Sequence, residues 1–135
     1  MALSKKVLVV EDHGDLLAFL GEALALLGWD AVLADSGREA LNKLEDDSPS
    51  IIMLDMRMPK MDGFEFAGIL KRHPVYKKIP ILGASGYAGR LAREQCLASG
   101  CDDFISKPFA IAALQTRLTN LVCTAQQKAT AATAV

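Results

Sequence analysis

A doubly wound α/β fold, in which one parallel sheet is covered by helices on both faces, is the fold class that the sequence predicts. Short apolar runs rich in β-branched residues alternate along the chain with stretches whose apolar residues recur at helical spacing. Polar side chains follow the apolar runs, and glycine, proline or serine separates the elements. With 135 residues, of which 51% are hydrophobic, the chain has the size and composition of one compact domain.

The first half of the chain predicts three strands with two helices between them. Gly28 is a stop signal for the first helix, because glycine is the usual residue after the last helical turn. Ser36 and Glu39 have the spacing of a capping box, which starts the second helix. The predicted elements are strands at 7–10, 31–34 and 51–54 and helices at 15–27 and from Ser36 to about 46.

The second half continues the alternation and makes five β/α units. Parallel neighbours need right-handed crossovers, so two helices are expected on one face of the sheet and three on the other. Residues 124–135 are rich in Ala, Thr and Gln without apolar periodicity, and a flexible tail is expected there. The predicted elements are a helix from Asp62-Gly63 to about 73, a strand at 79–83, a helix at 89–99, a strand at 103–106 and a helix at 108–123.

Charge and cysteine content exclude several classes of function. The net charge of −1 comes from 15 basic and 16 acidic residues without a basic block, so no nucleic-acid partner is expected. No apolar stretch reaches the roughly 18 residues that span a bilayer, and no signal-peptide pattern is present. A cytoplasmic protein without a membrane partner is expected. The three cysteines lack metal-ligand spacing and are expected to be reduced packing residues.

Carboxylates follow two of the predicted strands. Asp55 ends the apolar run at 51–54, and Glu11 and Asp12 follow the run at 7–10. Open parallel α/β sheets bind ligands at the carboxyl ends of their strands, so the three carboxylates should meet in one pocket. Like charges that close repel unless they are protonated or share a cation. All-oxygen ligation favours Mg²⁺ as that cation.

A lysine and a hydroxyl occur at the ends of the other two strands on this side. Lys107 follows the run at 103–106 and supplies positive charge, while Ser85 can donate a hydrogen bond to an anionic oxygen. A cation, an ammonium group and a hydroxyl together suit a phosphoryl group. An ionised Asp55 is then placed to act as the nucleophile and to become an acyl phosphate.

With these residues, the chain resembles a response-regulator receiver domain of two-component signalling, in its single-domain, chemotaxis-type form. The resemblance covers residues 5–123, which are expected to form the receiver domain within 1–123, followed by the tail. It implies the flavodoxin-like fold with strand order 2-1-3-4-5. The matching motifs are Glu11-Asp12, Asp55 with Met58-Pro59 and Met61-Asp62-Gly63, Ser85, and Lys107-Pro108-Phe109.

The resemblance also implies roles for individual residues. Asp55 would accept phosphate from a histidine kinase or a histidine phosphotransfer protein, and Ser85 and Lys107 would contact the phosphoryl group. Ser85 and Phe104 would be the switch pair that reshapes the face formed by the fourth helix, fifth strand and fifth helix. The expected ligands of Mg²⁺ are Glu11, Asp12, Asp55 and the backbone carbonyl of Arg57. The resemblance thus implies a signalling domain that catalyses only its own phosphorylation and dephosphorylation.

Some positions depart from the commonest pattern of the family. Ser85 replaces the more frequent threonine, Gly86 adds backbone freedom after it, and Phe104 lacks the hydroxyl of the frequent tyrosine. Arg57 and Tyr87 are expected to flank the mouth of the site and to screen the acyl phosphate from water.

Two alternative functions are disfavoured by the residues at the predicted site. An aspartyl-phosphate hydrolase would need an acid two residues after the nucleophile, where Arg57 stands. A flavin carrier would need a phosphate-binding loop where Glu11 and Asp12 stand.

The chain is also expected to work either alone or as a receiver excised from a hybrid histidine kinase or a larger regulator, on a downstream protein target. The last helix carries Arg117 as its only formal charge over 108–123, which is compatible with a homodimer interface at the last-helix face.

Overall fold

The computed structural model of the protein describes residues 5–58, 60–86 and 90–133. Within them, five strands alternate with five α-helices, and a short 3₁₀ turn at Tyr76–Lys78 precedes the fourth strand. The strands are β1 Lys6–Val10, β2 Asp30–Ala34, β3 Ile51–Asp55, β4 Ile81–Ser85 and β5 Asp103–Ser106. The helices are α1 Gly14–Leu26, α2 Gly37–Asp46, α3 Gly63–Arg72, α4 Arg90–Ser99 and α5 Ile111–Thr133.

The strands form one parallel sheet in the order β2-β1-β3-β4-β5, as predicted. Val10 pairs with Ala34 on one side and with Leu54 on the other, and Asp55 pairs with Ala84. The strands therefore end nearly level, and the residues that follow them meet at one edge of the sheet. The chain order reverses between β1 and β3, which is where ligands bind in open α/β sheets.

Two apolar layers cover the sheet, in the predicted division of helices. The α1/α5 face contains Leu20 and Leu24 of α1 with Leu114 and Leu118 of α5, and Trp29 packs at its edge. The opposite face carries α2, α3 and α4; its buried side chains are Leu8, Val10, Ala34, Ala40, Leu44, Ile52, Leu54, Met56, Met58, Phe66, Ala67, Leu70, Ile79, Ile81, Cys96, Cys101 and Phe104. Strand residues alternate between the layers because successive side chains point to opposite faces.

Two helices end in the same motif. Gly28 after α1 and Gly100 after α4 have positive φ angles of 92° and 121°, which glycine adopts without steric cost. The amide of Trp29 donates to the carbonyl of Leu24 at 2.9 Å, and the amide of Cys101 donates to the carbonyl of Cys96 at 3.3 Å. This is the Schellman motif, in which the residue after the glycine packs against the residue five positions earlier.

The predicted capping box starts α2. The Ser36 hydroxyl accepts from the Glu39 amide at 3.1 Å, and the Glu39 carboxylate accepts from the Asp35 amide at 3.3 Å. The reciprocal bond thus reaches one residue further back than in the usual box.

The fourth strand differs from the prediction by two residues, since 79–83 was expected and Ile81–Ser85 is observed. Ile79 closes the 3₁₀ turn by donating to Tyr76, and Pro80 has no amide hydrogen to donate to a neighbouring strand. Gly83, which the sequence suggested as the strand end, lies inside the strand and pairs with Phe104.

The last helix also differs at both ends. It begins at Ile111 instead of Pro108, and it continues to Thr133 instead of ending near Cys123. Residues 124–133, for which a flexible tail was expected, continue α5 as helix, because alanine, glutamine and lysine favour helix and no glycine or proline stops it. The expected domain boundary at residue 123 falls inside α5. Within the described part of the chain, none of the helices has the length and hydropathy needed to cross a membrane.

Candidate functional site

Backbone hydrogen bonds just beyond the strands hold the predicted site residues at the carboxyl edge of the sheet. The Glu11 amide donates to Ala34 at 3.1 Å, and the Lys107 amide donates to Ser85 at 2.8 Å. After Asp55, the Met56 amide donates to Ala84 at 2.9 Å. Each segment that carries a functional side chain is thus tied to a neighbouring strand before the chain turns away.

Three carboxylates meet at this edge, as the sequence predicted. One oxygen each from Glu11, Asp12 and Asp55 can be chosen so that all lie within 4.8 Å of one another. Glu11 and Asp55 are buried, with 3% and 6% exposure, while Asp12 is exposed. Two buried oxygen ligands beside one open to solvent fit a hard cation such as Mg²⁺, which usually keeps several water ligands.

Lys107 lies between the two buried carboxylates. Its Nζ is 2.5 Å from Glu11 Oε1 and 3.6 Å from Asp55 Oδ1. The lysine side chain is only 21% exposed, so its charge is partly shielded from water. An ammonium group is therefore held beside the carboxylate that the sequence selected as the nucleophile.

The two buried carboxyl groups share their charge unequally. Burial, together with the hydrogen bond and charge of Glu11, raises the pKa of Asp55 to about 7 against the opposing effects of the Arg57 amide and Lys107. Burial also opposes ionisation of Glu11, but hydrogen bonds from Asp55, Lys107 and His13 outweigh it and lower the pKa of that group. Without a divalent cation, Glu11 is therefore the member of the pair that ionises first as the pH rises.

The loops that follow β1 and β3 complete the cleft. The Arg57 amide donates to Asp55 Oδ1 at 3.1 Å, and the exposed Arg57 lines the cleft. The Arg57 carbonyl as a metal ligand stays a prediction, and Tyr87 lies outside the described residues. His13 donates from its amide to Glu11 and caps α1 by accepting the Leu16 amide at its Nδ1, a capping role that the sequence did not single out.

The predicted switch residues lie on the last two strands of the sheet. Ser85 is 5% exposed at the end of β4, and Gly86, the next residue, lines the cleft. Phe104 on β5 is 4% exposed and packs in the layer of α2, α3 and α4. Gly83, two residues before Ser85, pairs with Phe104, so strand alternation puts Ser85 and Phe104 on the same face. Their movement on phosphorylation stays a prediction.

Gly63 is a structural requirement of the site that sequence reasoning did not identify beyond its motif. A Cβ atom there would lie 2.6 Å from the Asp55 carbonyl oxygen and closer still to Met56 Cα. Both obstacles are backbone, so a side chain cannot be accommodated by a rotamer change. The Gly63 amide also donates to the Met56 carbonyl at 3.2 Å.

We expect Gly63→Ala to lower the free energy of unfolding by about 1–3 kcal/mol, because it forces apart the segment that carries Asp55 and the start of α3. Urea denaturation measures the change. Gly14→Ala is the matched control, since a Cβ at Gly14 meets no atom within 4 Å. Equal stability of the two variants would show that the close approach is not a constraint.

These features define a class of protein: a doubly wound α/β domain with an acidic, lysine-bridged cleft at the reversal point of a parallel sheet. The profile of the response regulator receiver domain family matches residues 7–119. The chain belongs to this family, and its receiver domain is that of the two-component response regulators.

Individual relatives agree with this membership. The alkaline phosphatase synthesis transcriptional regulatory protein PhoP of Bacillus subtilis is 34% identical over 108 residues, which are 80% of this chain but only 44% of that protein. The chain thus spans less than half the length of this relative. The chemotaxis protein CheY4 of Vibrio cholerae has a TM-score of 0.81 at 30% identity, covering 87% of this chain and 98% of that one.

A third relative bears on the metal. The receiver domain of the sensor histidine kinase PA1611 from Pseudomonas aeruginosa has a TM-score of 0.80 at 28% identity, with coverage of 88% of this chain and 98% of that chain. That structure has a magnesium ion coordinated in its active site cleft.

Proposed function

We propose that this chain is a phosphoacceptor switch, in which Asp55 takes a phosphoryl group from a phosphohistidine of a histidine kinase or phosphotransfer protein. The observation that carries the proposal is the position of Asp55: a buried carboxylate, 3.6 Å from the ammonium of Lys107, in an acidic cleft that opens at the reversal point of the sheet. The partners follow from the family and from this chemistry.

In the proposed reaction, an oxygen of the ionised Asp55 carboxylate attacks the phosphorus, and the phosphorus–nitrogen bond of the phosphohistidine breaks. The bonding electron pair returns to the imidazole, which leaves with the donor, and Asp55 becomes a mixed anhydride. Lys107 can leave Glu11 and turn toward the transferred oxygens, offsetting their negative charge. Ser85 is the proposed hydroxyl donor to the same group.

The donor set fits Mg²⁺, which Glu11, Asp12, Asp55 and the Arg57 carbonyl would hold. When bound, the ion supplies positive charge to the carboxylates and to the phosphoryl oxygens. The raised pKa of Asp55 supports this proposal, because a nearby cation favours the ionised form that the reaction needs.

An apolar groove beside Lys107 supports a protein as the phosphoryl donor. Phe19 on α1 is 53% exposed, and the groove runs from α1 to the start of α5. Its remaining lining residues are Leu16, Leu20, Lys107, Pro108, Phe109 and Ile111. A donor that covers this groove buries apolar surface and brings its histidine to the mouth of the cleft.

The proposed output surface is the face made by α4, β5 and α5. The Asp103 carboxylate accepts hydrogen bonds from Arg93 of α4 at 3.4 Å and from Arg117 of α5 at 3.1 Å. Arg117 also donates to the Phe104 carbonyl at 2.8 Å. The backbone of the proposed switch residue is therefore bonded to α5 through Arg117, and its neighbour Asp103 is paired with α4 through Arg93. A downstream protein or a second copy of the chain is the proposed partner of this face, whether the chain works alone or within a longer regulator or hybrid kinase.

The test is incubation with acetyl phosphate and Mg²⁺, followed by mass measurement of the intact protein. We expect one phosphoryl adduct on the wild-type chain and none on Asp55→Asn. Asp35→Asn, which changes an exposed aspartate outside the cleft, should be phosphorylated like the wild type. An adduct that persists on Asp55→Asn would reject Asp55 as the acceptor.

A further inference from the structure

The C-terminal end of α4 brings two cysteines together in a way that the proposed phosphotransfer does not use. In the Schellman motif of this helix, Cys96 is the residue five positions before Cys101, and Gly100 makes the turn between them. The same motif after α1 packs Leu24 against Trp29. The motif that elsewhere makes an apolar contact thus places two thiols side by side.

The surroundings confine both sulfur atoms to one small space. A Cβ at Gly83 would lie 3.2 Å from Cys101 Sγ and closer still to Cys96 Sγ, so both thiols fill the volume that this glycine leaves open. Met56 Sδ is 3.8 Å from Cys101 Sγ and borders the same space. Disulfides require Cα atoms within about 7 Å, a condition that the 3.3 Å hydrogen bond between the Cys101 amide and the Cys96 carbonyl makes easy to meet.

The two thiols differ in access and in charge. Cys96 has no exposed surface, whereas Cys101 is 6% exposed at the end of the helix. The hydrogen bond with Cys96 lowers the pKa of the Cys101 thiol against the effect of burial, and the Ser99 hydroxyl and Lys71 lower it as well. The same bond and burial raise the pKa of Cys96. Cys101 is thus the more accessible and the more easily ionised thiol of the pair.

We propose that Cys96 and Cys101 are a modification site, a dithiol that hydrogen peroxide oxidises reversibly to a disulfide between α4 and the turn that leads into β5. The Cys101 thiolate attacks one peroxide oxygen, the oxygen–oxygen bond breaks, and the released hydroxide takes up the proton that the Cys101 thiol lost on ionisation, which gives water. Cys96 then attacks the sulfenic sulfur of Cys101, and the sulfur–oxygen bond breaks. The hydroxyl leaves as water with the Cys96 proton, so two electrons pass from the thiols to the peroxide.

The position of this bond gives it a consequence for the fold. Cys101 is three residues before Phe104, and Cys96 is on α4, which borders the proposed output surface. A disulfide would fasten α4 to the turn that leads into the strand that carries Phe104. The site uses none of the residues that line the carboxylate cleft, so it stands independently of phosphotransfer.

The test uses the full chain with Cys123→Ser, which removes the exposed thiol of α5. The protein is treated with hydrogen peroxide, the remaining thiols are alkylated under denaturing conditions, and the peptide with both cysteines is weighed. We expect a peptide lighter by two hydrogen atoms that resists alkylation until dithiothreitol is added. Oxidation of Cys123 in a wild-type sample treated in parallel shows that the peroxide was effective. If Cys96 and Cys101 are then both recovered in alkylated form, the proposal is overturned.

Two single variants separate the roles of the thiols. With Cys96→Ala, we expect a sulfenic acid on Cys101 that dimedone traps. With Cys101→Ala, Cys96 should stay reduced, because it has no exposed surface. Circular dichroism checks that both variants are folded. If either variant is unfolded, the mass measurement on the Cys123→Ser protein alone tests whether the disulfide forms. Oxidation of Cys96 at the parental rate without Cys101 would reject the proposed order of attack.

Discussion

In the absence of divalent cations at pH 8, Asp55→Asn is expected to be more stable than the wild-type protein by about 4 kcal/mol. The pKa of Asp55 is raised to about 7 in the folded chain, while an unfolded aspartate titrates near 3.9. A group with a raised folded pKa contributes stability below its unfolded pKa and loses it as the pH rises through the folded pKa. The neutral asparagine does not undergo this loss, so the difference should shrink progressively from pH 7 to pH 4.

The measurement is urea denaturation of both proteins from pH 4.5 to 8 in a chelator, followed by far-ultraviolet circular dichroism. Addition of Mg²⁺ at pH 8 should stabilise the wild type and leave the variant nearly unchanged, because binding to the folded state alone adds stability. Asp35→Asn removes an exposed aspartate and is the control. If the stability of wild type and of Asp55→Asn depends on pH in the same way, the pKa of Asp55 is not raised in the folded protein.

Lys107→Met is expected to slow phosphorylation by acetyl phosphate by about 100-fold or more, which is the usual cost of removing one charge that stabilises a transition state. Methionine keeps an unbranched stem of similar shape beside Pro108 and Phe109 but cannot donate to the phosphoryl oxygens. The loss of the ammonium also leaves Glu11 without its 2.5 Å partner. Binding of Mg²⁺ should survive, since the carboxylates remain.

The rate is measured from the mass of protein quenched at intervals, at a Mg²⁺ concentration that saturates both proteins. Lys43→Met, on the exposed surface of α2, is the matched control and should react like the wild type. An unchanged rate for Lys107→Met would assign Lys107 to packing or to neutralisation of Glu11 alone.

Much of the architecture could be predicted because local and global signals agree. The apolar run of β1 is buried on both faces, and Gly28 ends α1 where its positive φ angle is needed. The convergence of Asp55 with Glu11 and Lys107 follows from a parallel sheet, since residues after its strands must share one edge. Sequence order and strand order were therefore enough to place the carboxylates and the lysine in one cleft.

What could not be predicted depends on contacts between distant elements. Gly83 was interpreted as a strand end, but it lies within β4, where the sulfur atoms of Cys96 and Cys101 occupy the space of its missing side chain. Cys96 and Cys101 gave no metal-type spacing, and their proximity arises from a helix end whose geometry only the fold specifies. The helical extension to Thr133 reflects propensity without an apolar stripe, a signal that periodicity does not detect.

The packing of Trp29 determines what an optical experiment on this protein can see. It is the single tryptophan of the chain, it is 3% exposed, and it belongs to the layer of α1 and α5. Phe104, Cys96 and Cys101 belong to the opposite layer, with the whole sheet between. Tryptophan fluorescence will therefore report the loss of the layer of α1 and α5 on unfolding. A rearrangement confined to α4 will leave the tryptophan emission unchanged. Detection of a rearrangement around Phe104 by fluorescence therefore requires a second tryptophan, introduced on the opposite face of the sheet.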